Sequence, residues 1–206
     1  MDYIKANKDQ LWSETDAFTI DRYNQFAGKI KNPSAILDVG CNTGRGGEVL
    51  RKRFPETELI GVDIVEERLG KIPAGIYSKT FCTSISDLDI EDNYFDAIVA
   101  GEVIEHIPPV EVDTVLEKCY RLLKNNGLLL LTTPNPDAYL VKMGRDNVFN
   151  DPSHVSIMTY KILSDKLKKA GFTKVKIKGS GKATHIFPES FPLPGVFGSY
   201  LTIAIK

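Results

Sequence analysis

Ile36-Leu37-Asp38-Val39-Gly40-Cys41-Asn42-Thr43-Gly44 is followed, one amphipathic segment later, by Leu59-Ile60-Gly61-Val62-Asp63. An apolar run long enough for a buried strand ends in a tight glycine turn, and a second apolar run ends in a carboxylate. This is a strand–turn–helix–strand unit. At its turn the backbone can approach a ligand closely, and the carboxylate closing the second strand can accept from ribose hydroxyls, so the pair is built for a nucleoside.

The turn also says which nucleoside. A dinucleotide site would read G-x-G-x-x-G and seat a pyrophosphate on the helix N-terminus. Here Asp38 stands two residues before Gly40, where it would repel a phosphate and attract an amino group, directly or through water. A ribose at one end and a cationic amino acid at the other describe S-adenosyl-L-methionine.

With these residues in place the chain resembles the class I S-adenosylmethionine-dependent methyltransferases over about 35–172. The glycine turn matches at Asp38, Gly40 and Gly44, and the ribose acid at Asp63. Two more motifs follow in order: Phe95-Asp96-Ala97-Ile98-Val99-Ala100-Gly101-Glu102-Val103-Ile104-Glu105-His106-Ile107, and a run from Leu122 through Gly127 to Pro134-Asn135. Asn42 replaces the family's usual middle glycine; asparagine tolerates positive φ, so the turn survives. The resemblance implies cofactor contacts from Asp38, Gly40, Asn42, Gly44, Asp63, Ile64 and Glu102, with Ser84 and Ile85 beside the adenine. The overall pattern is most similar to the ubiquinone-biosynthesis-type O-methyltransferases and to enzymes of surface-sugar and natural-product pathways.

Composition sets outer bounds. The 206 residues fit one α/β domain, read as a single methyltransferase domain over 1–206. With 26 basic against 27 acidic residues the net charge is −1, which gives no broad pull toward nucleic acid or anionic lipid. Lys161, Lys166, Lys168 and Lys169 read as a solvated helix face. Cys41, Cys82 and Cys119 show no metal spacing or disulfide framework; with no apolar leader after Met1 and no run long enough to span a membrane, a cytoplasmic protein without stable membrane insertion is expected.

Alternating apolar strands and amphipathic helices predict a mainly parallel sheet wrapped on both sides. The expected strands are 35–39, 58–62, 77–82, 95–100, 128–133, 174–178 and 200–205. The expected helices are a leading cap helix at about 14–31, then 44–53, 66–71, 110–123 and 160–170. Asn126-Gly127 is read as the turn into the fifth strand. The family implies a Rossmann-like, doubly wound sheet in the order 3-2-1-4-5-7-6 with strand 7 antiparallel. In related enzymes the leading helix covers the ligand; the alternative is a helix merely packed on the sheet. Trp12 and Tyr23 are candidate ligand contacts on or near it. Two long proline-marked loops, about 134–155 and 183–199, break the rhythm and are read as substrate lids at the carboxyl end of the sheet.

Methyl transfer to a hydroxyl needs alignment of nucleophile, methyl and sulfur, and a base for the hydroxyl proton. Glu102, Glu105, His106 and His154 are the candidates, with His154, His106 and Glu105 assigned to catalysis. A packed histidine at 106 and a backbone tether at Glu105 are the structural readings of the same residues. No metal is assigned. Glu102-x-x-Glu105-His106 with a later His154 nevertheless also resembles the metal cluster of small-RNA 3′-terminal 2′-O-methyltransferases, which keeps metal-dependent RNA methylation in view. The leading expectation is O-methylation of a small or medium acceptor, a sugar or polysaccharide precursor first, by a monomer or homodimer without nucleic acid. N-methylation of an amino sugar and a noncatalytic S-adenosylmethionine-binding module stand as rival readings.

Overall fold

The computed structural model describes residues 16–146 and 148–206, so Trp12 and the start of the expected cap helix lie outside the described residues. Seven strands form one sheet: β1 Ala35–Val39, β2 Glu58–Asp63, β3 Lys79–Cys82, β4 Phe95–Gly101, β5 Leu123–Pro134, β6 Lys174–Ser180 and β7 Ser199–Ile205. Their order is β3-β2-β1-β4-β5-β7-β6, and β7 runs antiparallel to both of its neighbours while the other pairs are parallel. The helices are α1 Thr19–Ala27, α2 Arg45–Arg53, α3 Glu66–Leu69, α4 Val112–Leu122, α5 Tyr139–Lys142 and α6 Tyr160–Lys169.

The period-2 geometry of each strand sorts its side chains into two cores. Leu37, Val39, Ile98, Ala100, Leu129 and Leu131 face α4 and α6, whose Val115, Leu116, Leu163 and Leu167 cover them. Ile36, Leu59, Ala97, Val99, Leu130 and Leu201 face the other way, onto Tyr23, Phe26 and Ala27 of α1 and Leu50 of α2. Both sheet faces are therefore covered, which is why the central strands read as unbroken apolar runs. At about 25 cal/mol per Å² of buried apolar surface, such two-sided burial is the main stabilising term.

Several expectations need adjusting. Leu123 already pairs with Phe95, so β5 begins before Asn126-Gly127, and that pair lies inside the strand at a register shift rather than ahead of it. Asn126 takes φ +65, the left-handed conformation that asparagine tolerates, and this accommodates the irregularity. β3 is shorter than expected, because Tyr77 precedes the ladder and turns its hydroxyl inward onto Asp38. The two long connections hold short helical turns, α5 and 148–150 in the first, 182–185 and 194–196 in the second. Because β5 and β6 are both antiparallel to β7, both connections leave from the same edge of the sheet, the carboxyl edge of β1, β2 and β4.

Candidate active site at the carboxyl edge

The turn after β1 has the conformation its sequence requires. Gly40, Asn42 and Gly44 adopt φ +70, +50 and +84. A Cβ on Gly40 would come 2.6 Å from Cγ2 of Val103, so glycine there also lets the β4 turn close in. The amides of Gly40 and Cys41 donate to the Val62 carbonyl at 2.8 and 3.1 Å. Asp63 braces the turn: one carboxylate oxygen accepts from the Asn42 amide at 2.9 Å, the other from the Val65 amide at 2.9 Å. A carboxylate has about four acceptor sites, so lone pairs remain for hydroxyl donors.

Asp38 departs from expectation. It is wholly buried, and both oxygens are occupied: the Tyr23 hydroxyl donates to one at 2.6 Å, the Tyr77 hydroxyl to the other at 2.5 Å. Burial pushes its carboxyl up to about 7, against the two phenol hydrogen bonds, which favour the charged form. The expected pull of Asp38 on a ligand ammonium, directly or through water, therefore comes from a carboxylate that is buried and already engaged by two tyrosines. Sequence reading names Tyr23 as a candidate ligand contact rather than as a partner of Asp38, and misses Tyr77. The signal for both is the Gly46-Gly47 pair, a costly choice in a helix (roughly 1 kcal/mol per glycine relative to alanine) that leaves space for two rings.

Beyond β4 the chain turns sharply. Glu102 adopts φ +56, and its amide donates to the Thr132 carbonyl at 3.1 Å. Its carboxylate lies 3.4 Å from Nε of Arg22 on α1, without hydrogen-bond geometry, and within 3.5 Å of the Ser199 hydroxyl. Arg22 also pairs with Asp16. The next residues form a short turn, 104–106, onto which the loop after β5 is fastened. The Ser156 amide donates to the Glu105 carbonyl at 2.9 Å, the Ser156 hydroxyl to the Ile107 carbonyl at 2.5 Å, and His106 Nδ1 sits 3.1 Å from the Ser153 carbonyl. A carbonyl can only accept, so Nδ1 carries the proton and Nε2 presents a lone pair.

This fastening gathers the expected catalytic residues. Glu105, His106 and His154 each place a ligating atom within 4.8 Å of the others. Glu105 is 1% exposed; one oxygen accepts from the Thr133 hydroxyl at 3.1 Å and the other, Oε1, has no partner. Nδ1 of His154 is likewise buried without a hydrogen-bond partner, and Arg22 Nε and Glu102 Oε1 have only their mutual ion pair. Burial, and then Glu102, push the Glu105 carboxyl well up; burial, and then His154, push the His106 imidazole down to about 4. Buried polar atoms are normally satisfied, so orphans gathered at one edge mark a place where a polar ligand or ion belongs. Sequence reading assigns these residues to proton transfer without a metal; the donor set itself, one carboxyl group and two imidazoles, suits a divalent cation.

The Ser84 hydroxyl accepts from the Ser86 amide at 3.0 Å and so caps the turn 85–87, while Ile64 is half-buried. Ile85 belongs to the core with Ile60 and Leu88. His185 is exposed and 2.8 Å from Asp21. Lys166 and Lys169 pair with Asp113 and Lys161 with Asp165, as a solvated face would. Among the described residues no helix is long and apolar enough to cross a membrane.

A methyltransferase-domain family model matches residues 11–177, most of the chain. The protein belongs to the class I S-adenosylmethionine-dependent methyltransferases, and its cofactor is S-adenosyl-L-methionine. It is similar to the malonyl-[acyl-carrier protein] O-methyltransferase of Methylovorus sp., with 28% identity over 153 residues, covering 68% of this chain and 50% of that one. It is also 32% identical over 105 residues to the ubiquinone biosynthesis O-methyltransferase of Bradyrhizobium diazoefficiens, covering 48% and 40% respectively. The chain spans about half the length of the curated relatives it matches. Among solved structures, a SAM-dependent methyltransferase from Archaeoglobus fulgidus superposes with TM-score 0.75 at 22% identity, covering 96% of this chain and 100% of that one. The Burkholderia thailandensis 1,6-didemethyltoxoflavin-N1-methyltransferase, bound to S-adenosylhomocysteine, superposes with TM-score 0.70 at 18% identity, covering 98% and 83%.

Proposed function

We propose that this protein transfers a methyl group to a hydroxyl of a small or medium acceptor, a sugar or polysaccharide precursor being the first candidate. The observation that carries the reading is the cluster of buried Glu105 with half-buried His106 and His154, with atoms on Glu105 and His154 that lack a hydrogen-bond partner, at the carboxyl edge. When bound, S-adenosyl-L-methionine supplies an electrophilic methyl on a sulfonium. The turn at Gly40–Gly44 and Asp63 would hold the nucleoside, with Ile64, Ser84 and Ile85 toward the base and Glu102 at the ligand edge of the sheet. His154 takes the acceptor's hydroxyl proton as its oxygen bonds to the methyl carbon and the carbon–sulfur bond breaks. The fastening of the 153–156 segment to the turn 104–107 would preset that imidazole beside Glu105 and His106, and the two connections at the carboxyl edge would exclude water. Isotope transfer from methyl-labelled cofactor to a panel of sugar, phenol and amine acceptors tests this: label on hydroxyls supports it, label only on amines favours N-methylation, and cofactor binding with no turnover leaves a binding module.

A second reading is favoured by the spacing of the three ligating atoms. Glu105, His106 and His154, with Glu102 adjacent, would hold a divalent cation, which would lower the pKa of an acceptor hydroxyl in place of a protein base. Exhaustive chelation followed by readdition of zinc, manganese or magnesium separates the two: a protein base survives chelation, whereas a cation-dependent site loses activity and regains it with one ion.

A further inference from the structure

Two phenols from separate parts of the chain converge on the single buried carboxylate of Asp38, Tyr23 from α1 and Tyr77 from the approach to β3. The first turn of α2 makes room for both. A Cβ at Gly46 would stand 2.2 Å from Cζ of Tyr23, and one at Gly47 would stand 2.2 Å from the Tyr77 hydroxyl oxygen. The Tyr23 ring also lies over Gly101, where an added Cβ would be 3.1 Å from Cε2. Tyr23 thus packs against both the start of α2 and the end of β4.

We propose that Tyr23 and Tyr77 are positioning residues for the cofactor, and that Asp38 is their shared acceptor, so that α1 docks and the glycine turn sets only as one event. The proposal rests on the reading of that turn as the cofactor's seat. Its physical basis is reciprocity: if docked α1 improves cofactor affinity, bound cofactor must hold α1 down by the same factor. Phenols donate fully only to an ionised carboxylate, and Asp38 is poised to lose its charge near neutral pH. The groups that face it are Tyr23 on α1, Tyr77 before β3, Asp63 on β2 and Cys41 in the turn; Arg22 lies beside Tyr23. Protonation of Asp38 would turn one phenol away and loosen the latch, so affinity falls as pH drops.

The test uses the full chain. S-adenosylhomocysteine binding is titrated calorimetrically between about pH 6 and 8.5 around the titration range of Asp38, and amide hydrogen exchange is followed over 19–27 with and without the ligand. Tyr23→Phe and Tyr77→Phe keep the rings and remove only the donors. Each is expected to weaken binding about tenfold, the scale of one charge-assisted hydrogen bond. Tyr23→Phe should also abolish the ligand's protection of α1. In both variants the affinity midpoint should move to higher pH, because losing a donor to the carboxylate raises its pKa. Wild-type affinity in both variants overturns the proposal, and weakened binding with an unmoved midpoint also overturns it by reducing the tyrosines to packing. Asp63→Asn is the separate control on the seat: if it binds as wild type, the seat is misplaced, whatever the tyrosines do.

Discussion

The ring of His106, on the turn after β4, lies 4.7 Å from the ring of His154, which arrives on the connection after β5. The Ser156 amide and hydroxyl and the His106 Nδ1 contact with the Ser153 carbonyl hold the two segments together, so the approach of the two rings is set by how these segments are fastened.

Replacing His154 by Ala should therefore lower kcat on a hydroxyl acceptor by about 10²–10⁴ while leaving the cofactor KM nearly unchanged, since the loss falls on the transition state alone. Steady-state kinetics with both substrates varied checks this. A variant as active as wild type would remove His154 from the chemistry.

His106 predicts an acid limb in stability. Its folded pKa is pushed down to about 4 from 6.5, so the unfolded chain binds the extra proton between these values. Stability is therefore full above pH 6.5 and drains away as pH falls from there through 4, by at most ~3 kcal/mol at 1.4 kcal/mol per pH unit. His106→Asn should flatten this limb in urea titrations at pH 7, 6 and 5; an identical slope in both proteins would contradict the assignment.

Gly46→Ala should destabilise the fold by ~1–3 kcal/mol, because the new methyl meets the Tyr23 ring at 2.2 Å and overpacked cores lose about this much. Adding Tyr23→Ala should recover part of that loss by vacating the space. Urea midpoints of the two single variants and the double variant decide it; simple additivity would mean the ring is not what Gly46 accommodates.

Asp96 belongs to the fourth-strand motif yet should prove structural. Its carboxylate accepts from the Ser34 amide and hydroxyl at 2.8 and 2.7 Å and from the Ala35 amide at 2.9 Å, and it meets Lys124 at 2.9 Å. Its side chain staples the entry of β1 to β4 at the amino end of the sheet, away from the carboxyl edge. Asp96→Ala should cost ~1–3 kcal/mol of stability and leave kcat alone. A kcat effect at temperatures where the variant is folded would argue against this.

The buried strands, the glycine turn and the acid that closes β2 are legible in the chain alone. Apolar runs such as Leu128–Leu131 can be buried on two faces in only a few ways, and Gly40, Asn42 and Gly44 supply the positive φ that the turn requires. These are local constraints, written in neighbouring residues. Two features emerged with the packed molecule instead: Asp38 serves two tyrosines rather than facing outward, and Tyr77 turns inward ahead of β3. Each depends on side chains far apart in the chain competing for one buried polar atom, and that contest is settled by packing and desolvation, which no local pattern records.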